Sequence, residues 1–261
     1  MRTYLWSKII DLAYSVKTMK MMYQDYMHNM SEKQFLTKYL NKENLSVDSK
    51  EYLLFKEAEL KLKFKIISIY DQEYPEKFKL SINPPIAFYY IGNKNFLGKY
   101  MIAVVGSRLT SYKYTKMAMN LGVGLSKMNI IGVSGLAKGI DASFHQGVES
   151  SLGVLGCGID TIYPTSNKAL YQKLINKGGL ISEYPLKTKP LPWHFPRRNR
   201  LIASLGDLLI LIYAKEKSGS IITLDYALDL GRDIFLTSEM YDRLDLTGYH
   251  ISELKKYIES L

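Results

Sequence analysis

Apolar positions change their period along the chain. Over residues 1–64 they recur at helical spacing and no proline intervenes. Leu36, Tyr39 and Leu40 share one helical face, as do Leu53, Leu54 and Leu60. This pattern predicts a small helical N-terminal module spanning 1–64. From residue 65 the pattern shortens. KIISIY reads as a short strand, and a proline-bounded turn leads into an apolar strand ending in FYYIG. From residue 101 onward apolar runs alternate with stretches of helical period. The runs are MIAVV, NIIGVS, SLGVLG, GLIS, DLLILI and DIFL. Unbroken apolar runs suit strands covered on both faces, and helix-length connections between them imply parallel pairing. The fold class is α/β with a mostly parallel sheet over 65–240. The terminal ISELKKYIESL follows as an amphipathic helix within a C-terminal segment, 241–261.

In open parallel sheets ligands bind beyond the carboxyl ends of the strands. Five such exits stand out: Gly106-Ser107-Arg108, the stretch 134–141 (SGLAKGID), Gly156-Cys157-Gly158, Glu183-Tyr184-Pro185 and Lys217-Ser218-Gly219-Ser220. Small residues let backbone N–H groups approach a phosphate, and helix N-termini favour negative charge. Arg108, Lys138, Lys215 and Lys217 add cations to these turns. GxGxxG is missing after MIAVV, and GxxxxGK[ST] is missing throughout. A dehydrogenase or a P-loop NTPase is therefore disfavoured.

Catalytic groups are sparse. One cysteine leaves no intramolecular disulfide and no CxxC metal site, and the four histidines are far apart. No catalytic residue, metal or cofactor is expected. Asp141 and His145 are four apart on a helix and can meet. The plainer reading makes Asp141 a helix cap and His145 a partly buried hydrogen-bond donor. Cys157, without an activating base nearby, reads as an inert small residue. No run of about 18 apolar residues appears, and the N-terminal helix lacks a cleavage site, so a cytoplasmic location is expected.

Charge narrows the partner. The formal net charge is +10, shared equally between residues 1–100 and 101–261. Such an excess suits a polyanion, but a binding footprint needs local clustering. The segment between Glu183 and Asp207 supplies it: Lys187, Lys189, Arg197, Arg198 and Arg200, with no acid among them. Seven of the 35 basic residues are arginine, and three of the seven fall within 197–200. A lysine-rich chain that uses arginine here points to bidentate phosphate contact or base stacking. An unpaired cluster of this kind repels itself unless an anion is present. Trp193, Phe195 and Tyr163 are candidate stacking platforms. Reversing the charge at Arg108 or Arg198 is expected to weaken binding without unfolding the chain.

In order, these motifs resemble the DNA-processing protein A (DprA/Smf) family. They are Tyr74-Pro75 with Pro84-Pro85 and Tyr89, then Gly106-Ser107-Arg108, then SGLAKGID with His145. LGCGID with Tyr163-Pro164 and Asn167 follows, then LISEYP, FPRRNR at 195–200, Ser218-Gly219-Ser220 and Gly231-Arg232. The resemblance covers about residues 66–237. It implies an extended Rossmann-like fold that binds single-stranded DNA without catalysis, protects incoming strands in natural transformation and helps load the RecA recombinase. It also implies a homodimer. Carried over residue by residue, the DNA pocket comprises Arg108, Lys138, Lys168, Arg197, Arg198, Asn199 and Arg200. Ser107, Gly135, Ser218, Gly219 and Ser220 complete it. Ser238-Glu239-Met240 and Thr247-Gly248-Tyr249-His250 replace the family's usual Pro-Gly and GSN-like loop, at the edge where family dimers form. No winged-helix module is expected at the C-terminus. Two other readings stand beside this one: an enzyme or sensor for a small phosphorylated nucleotide, and an interaction module built around the last helix.

Overall fold

The computed structural model describes residues 1–40, 50–216, 218–244 and 248–260. Its strands are β1 (Lys65–Ser68), β2 (Ala87–Gly92), β3 (Met101–Val105), β4 (Ile131–Ser134), β5 (Ser151–Val154), β6 (Gly179–Ser182), β7 (Leu208–Leu211), β8 (Asp233–Leu236) and β9 (Tyr249–His250). They form one sheet in the order β1-β2-β6-β5-β4-β3-β7-β8-β9. β1 and β2 pair antiparallel, as do β2 and β6, and every pairing from β6 to β9 is parallel. The helices are α1 (Arg2–Leu12), α2 (Val16–Met27), α3 (Glu32–Tyr39), α4 (Lys50–Leu62), α5 (Glu76–Lys79), α6 (Tyr112–Lys127), α7 (Ile140–Gly147), α8 (Lys168–Lys177), α9 (His194–Leu205), α10 (Gly219–Asp229), α11 (Ser238–Arg243) and α12 (Leu254–Glu259).

Burial on both faces explains the apolar runs. In β3, Met101, Ala103 and Val105 enter one core, while Ile102 and Val104 enter another. β7 divides the same way, with Leu209 and Leu211 on one side and Leu208 and Ile210 on the other. That is the period-2 alternation of a strand sandwiched between helix layers. The chain leaves β3 toward β4 on one side and later returns to β7 on the other. Strand order therefore reverses at β3, the place where doubly wound sheets open a crevice.

The N-terminal helices join the sheet through a shared core. Tyr4, Trp6, Ile9, Met22 and Phe35 pack in one cluster with Ile66, Tyr89 and Leu174. Arg2 ties this corner down by bonding Glu32 at 2.7 Å and Asp71 at 2.8 Å. The expected face of α4 is corrected: Leu53, Leu54 and Leu60 point outward, and Phe55 is the residue that is buried. Aromatic contacts decide this, since Tyr4 meets Tyr52 at 5.0 Å and Phe55 at 5.4 Å. β9 and α11 are too short to show a period in the sequence. The terminal helix covers its own sheet, with Leu254 buried and Tyr257 packed against Phe235. Among the described residues no helix is long and apolar enough to cross a membrane.

α6 and α7 cross closely at Gly147. A Cβ there would stand 2.0 Å from the Met119 carbonyl oxygen. Backbone cannot yield as a side chain tip can, so Gly147→Ala is expected to cost about 1–3 kcal/mol through overpacking. Thermal denaturation checks this, and an unchanged midpoint would refute the tight crossing.

Candidate nucleic-acid interface

The turn leaving β3 is held rigidly so that Arg108 projects outward. The Ser107 N–H donates to the Tyr213 carbonyl at 2.8 Å, and the Ser107 carbonyl accepts from the Ile140 N–H at 3.3 Å. The Ser107 hydroxyl donates to the Leu109 carbonyl at 2.8 Å. Gly139 makes the close approach possible. Its φ is +76°, and a Cβ would lie 2.5 Å from the Ser107 carbonyl oxygen. The exposed Arg108 guanidinium lies over the Phe195 ring, 4.8 Å from its centroid, and Phe195 meets Tyr163 at 5.6 Å. Arg108 makes no ion pair among the described residues.

A cleft of about 590 Å³ opens at this switch point. Arg108, Tyr163, Phe195, Asn199 and Lys215 line it, together with Ser218, Gly219 and Ser220 at the start of α10. The Asn199 side-chain amide donates to the Gly219 carbonyl at 2.9 Å and so joins α9 to α10. Among the described residues no side chain caps α10, and none partners the buried Ser218 hydroxyl. Free N–H groups and a positive helix end therefore face the cleft. Pro190 and Pro192 form another wall. The signal for this wall in the sequence is the stiff KPLP run at 189–192.

The arginine run does not form one exposed patch. Arg200 is 3% exposed, and its two terminal nitrogens each reach a Glu183 carboxylate oxygen at 2.6 Å. Its Nε donates to the Asn83 carbonyl at 3.0 Å. Arg197 lies 3.5 Å from the same carboxylate and donates to the carbonyls of Ala13 and Tyr14. Arg198, also 3% exposed, donates to the carbonyls of Gly135 and Val154 and to the Asn199 side chain. The expectation of an unpaired cluster is thus corrected. Glu183, one residue beyond the end of β6, is the anion for Arg197 and Arg200, and the Asp141 charge faces Arg198. Reversing Arg198 would place a carboxylate in a buried site beside Asp141, so that change cannot spare the fold.

The other expected positions separate. Lys138 and Arg108 line a smaller adjoining cavity of about 150 Å³ with Tyr163 and Phe195. Gly135 is required there, because a Cβ would fall 2.6 Å from an Arg198 nitrogen. Lys168 is exposed at the start of α8 and lines neither cavity. Lys217 lies outside the described residues. Trp193 lies outside the cleft lining.

Asp141 and His145 find different partners. Gly139 occupies the cap position of α7, and Asp141 sits behind it. Burial pushes the Asp141 carboxyl upward, opposed by the Arg198 charge. His145 is fully buried with Nδ1 2.8 Å from the Ser151 hydroxyl, and burial pulls it down to about 3. The Cys157 thiol donates to the Thr161 carbonyl, and burial pushes it up to about 12. Among the described residues no three ligating side chains gather into a metal site.

A parallel sheet whose strand order reverses at β3, with a cationic, aromatic cleft over that switch point, defines a Rossmann-like α/β protein. Residues 65–252 match the family model described as DNA recombination-mediator protein A, and the chain belongs to that family. It is 38% identical to DNA processing protein DprA of Streptococcus pneumoniae over 194 residues, 72% of this chain and 68% of that protein. It is 36% identical to the Bacillus subtilis DprA over 174 residues, 65% of this chain but only 59% of that one. The X-ray structure of the Streptococcus pneumoniae protein superposes with a TM-score of 0.64 at 35% identity, covering 79% of this chain and 70% of that one. DNA processing protein A from Helicobacter pylori, whose structure was described for its single-stranded DNA binding mode, gives a TM-score of 0.64 at 25% identity. There the coverage is 75% of this chain and 88% of that one.

Proposed function

We propose that this protein binds single-stranded DNA in the switch-point cleft, without chemistry on the strand. The observation that carries the reading is Arg108: exposed, in no ion pair among the described residues, and lying over an aromatic pair at the cleft mouth. Phosphates meet Arg108, Lys138 and Lys215, and the bare start of α10 at Ser218, Gly219 and Ser220. Bases rest on Phe195 and Tyr163. Ser107, Gly135, Arg198 and Asn199 hold the floor in shape, Arg197 and Arg200 anchor α9, and Lys168 gives an outlying contact. The family resemblance extends this to a cytoplasmic homodimer that protects incoming strands and passes them to a RecA-type recombinase.

Backbone contacts carry little base information, so sequence preference is expected to be weak. Mobility shifts with single- and double-stranded DNA of equal length test the reading. Single strands are expected to bind more tightly, with a log–log salt slope of about −0.7 per phosphate contacted. Affinity indifferent to salt would remove the electrostatic basis. Calorimetry with mononucleotides separates the nucleotide-enzyme reading, which requires tight binding with turnover.

A further inference from the structure

Past the cleft wall the chain rises into a ridge at Pro190-Leu191-Pro192-Trp193. Pro190 and Pro192 face the cleft, whereas Trp193 lines a second groove of about 470 Å³. That groove lies between the start of α2 and the start of α9, with Tyr14, Val16 and Met19 on one side and Trp193 and Arg197 on the other. Trp193 is 64% exposed. Tyr14 and Val16 are exposed beside it. An indole normally buries much of its large apolar surface, and this one shares its groove with two further exposed apolar side chains.

The groove is built rather than incidental. The Tyr14 hydroxyl and His194 Nε2 are 2.6 Å apart, and their rings meet edge-on at 5.7 Å. Arg197 donates to the carbonyls of Ala13 and Tyr14 and so fixes the α1–α2 turn against α9. Among the described residues no carboxylate lines the groove. Lys17 and Lys20 adjoin the lining residues Val16 and Met19 in sequence, and Lys187 and Lys189 precede the ridge. All four are exposed and make no ion pair among the described residues. An aromatic face among unpaired cations is the composition that holds an unpaired base and its flanking phosphates.

We infer that a single strand leaving the cleft crosses the Pro190–Pro192 ridge and stacks a base on Trp193, in the groove that the N-terminal helices complete. This rests on the cleft being a single-strand site. It gives the helices at 1–40 a part in binding that the switch-point cleft alone does not.

The chain supplies its own reporter. Of its two tryptophans, Trp6 is fully buried and donates to Glu32 at 2.7 Å, so an emission change on binding reports Trp193. Oligothymidylates of about 4 and about 16 nucleotides, spanning the usual site sizes, would be titrated against the whole chain. The expected result is that the longer strand quenches the emission and the shorter does not. Trp193→Phe is expected to abolish the quench and keep most of the affinity. Trp193→Ala is expected to weaken the longer strand about tenfold, one stacked base, and leave the shorter unchanged. A longer strand that binds wild type and Trp193→Ala equally, without quenching, overturns the Trp193 contact and leaves the cleft reading intact. If neither length binds wild type in a mobility shift, the cleft reading falls and this one falls with it.

Discussion

Replacing Glu183 with alanine is expected to lower stability by about 3–5 kcal/mol, the loss typical when one partner of a buried ion pair is removed. Both Glu183 oxygens receive Arg200 nitrogens at 2.6 Å, and the Arg197 Nε lies 3.5 Å away. Without the carboxylate, the Arg200 guanidinium keeps its buried position and loses its counter-charge. A domain stable by about 5–15 kcal/mol would lose a large part of its margin. Urea denaturation reads the loss directly, and an unchanged midpoint would show the pair to be dispensable. Exchanging both partners, as Glu183→Leu with Arg200→Met, is expected to recover much of the stability, since the desolvation cost of two charges disappears with them.

The same pair sets an acid limit. Burial by itself would raise the Glu183 carboxyl, but Arg200 and then Arg197 outweigh it, and the group is held below its ordinary value. A carboxylate depressed in the folded state stabilises fully above its unfolded value of about 4.3. That contribution disappears as pH falls through the lower folded value. The part of acid unfolding due to this pair should therefore be missing from the doubly substituted chain.

Glu183 also shows what a linear reading captures and what it misses. The parallel sheet was legible because strands covered on both faces have to be apolar throughout. The cleft was legible because glycine and serine gather where those strands end, and Arg108 sits at one such end. The direction of each arginine was not. Successive residues on a helix are turned by about 100°, so Arg198 leaves α9 on a different course from Arg197 and Arg200, which stand three apart on one face. Arg198 goes to the carbonyls of Gly135 and Val154, while Arg197 and Arg200 flank Glu183. The counter-ion of those two stands at the end of a different strand, adjacent only after folding. Leu53, Leu54 and Leu60 failed for a related reason. Helical period groups residues into faces, but only the neighbours select the buried one, and here Tyr4 selected Phe55.

Arg108→Glu is expected to reduce single-stranded DNA affinity by roughly tenfold to a hundredfold or more, with the fold intact. A charge-assisted hydrogen bond contributes about 1.5–3 kcal/mol, and the substituted carboxylate adds repulsion toward any phosphate nearby. Stability should hold because Arg108 is exposed and its side chain rests on the face of Phe195. Arg108→Lys separates two contributions. It keeps the charge and loses the planar fork that stacks on the ring, so its affinity should fall between wild type and Arg108→Glu. The salt slope reads the contact: removing one phosphate contact should make it shallower by about 0.7. Wild-type affinity and slope in both variants would place the strand elsewhere on the molecule. Loss in Arg108→Glu together with an unchanged melting temperature ties the anion site to the turn that Ser107 and Gly139 hold rigid.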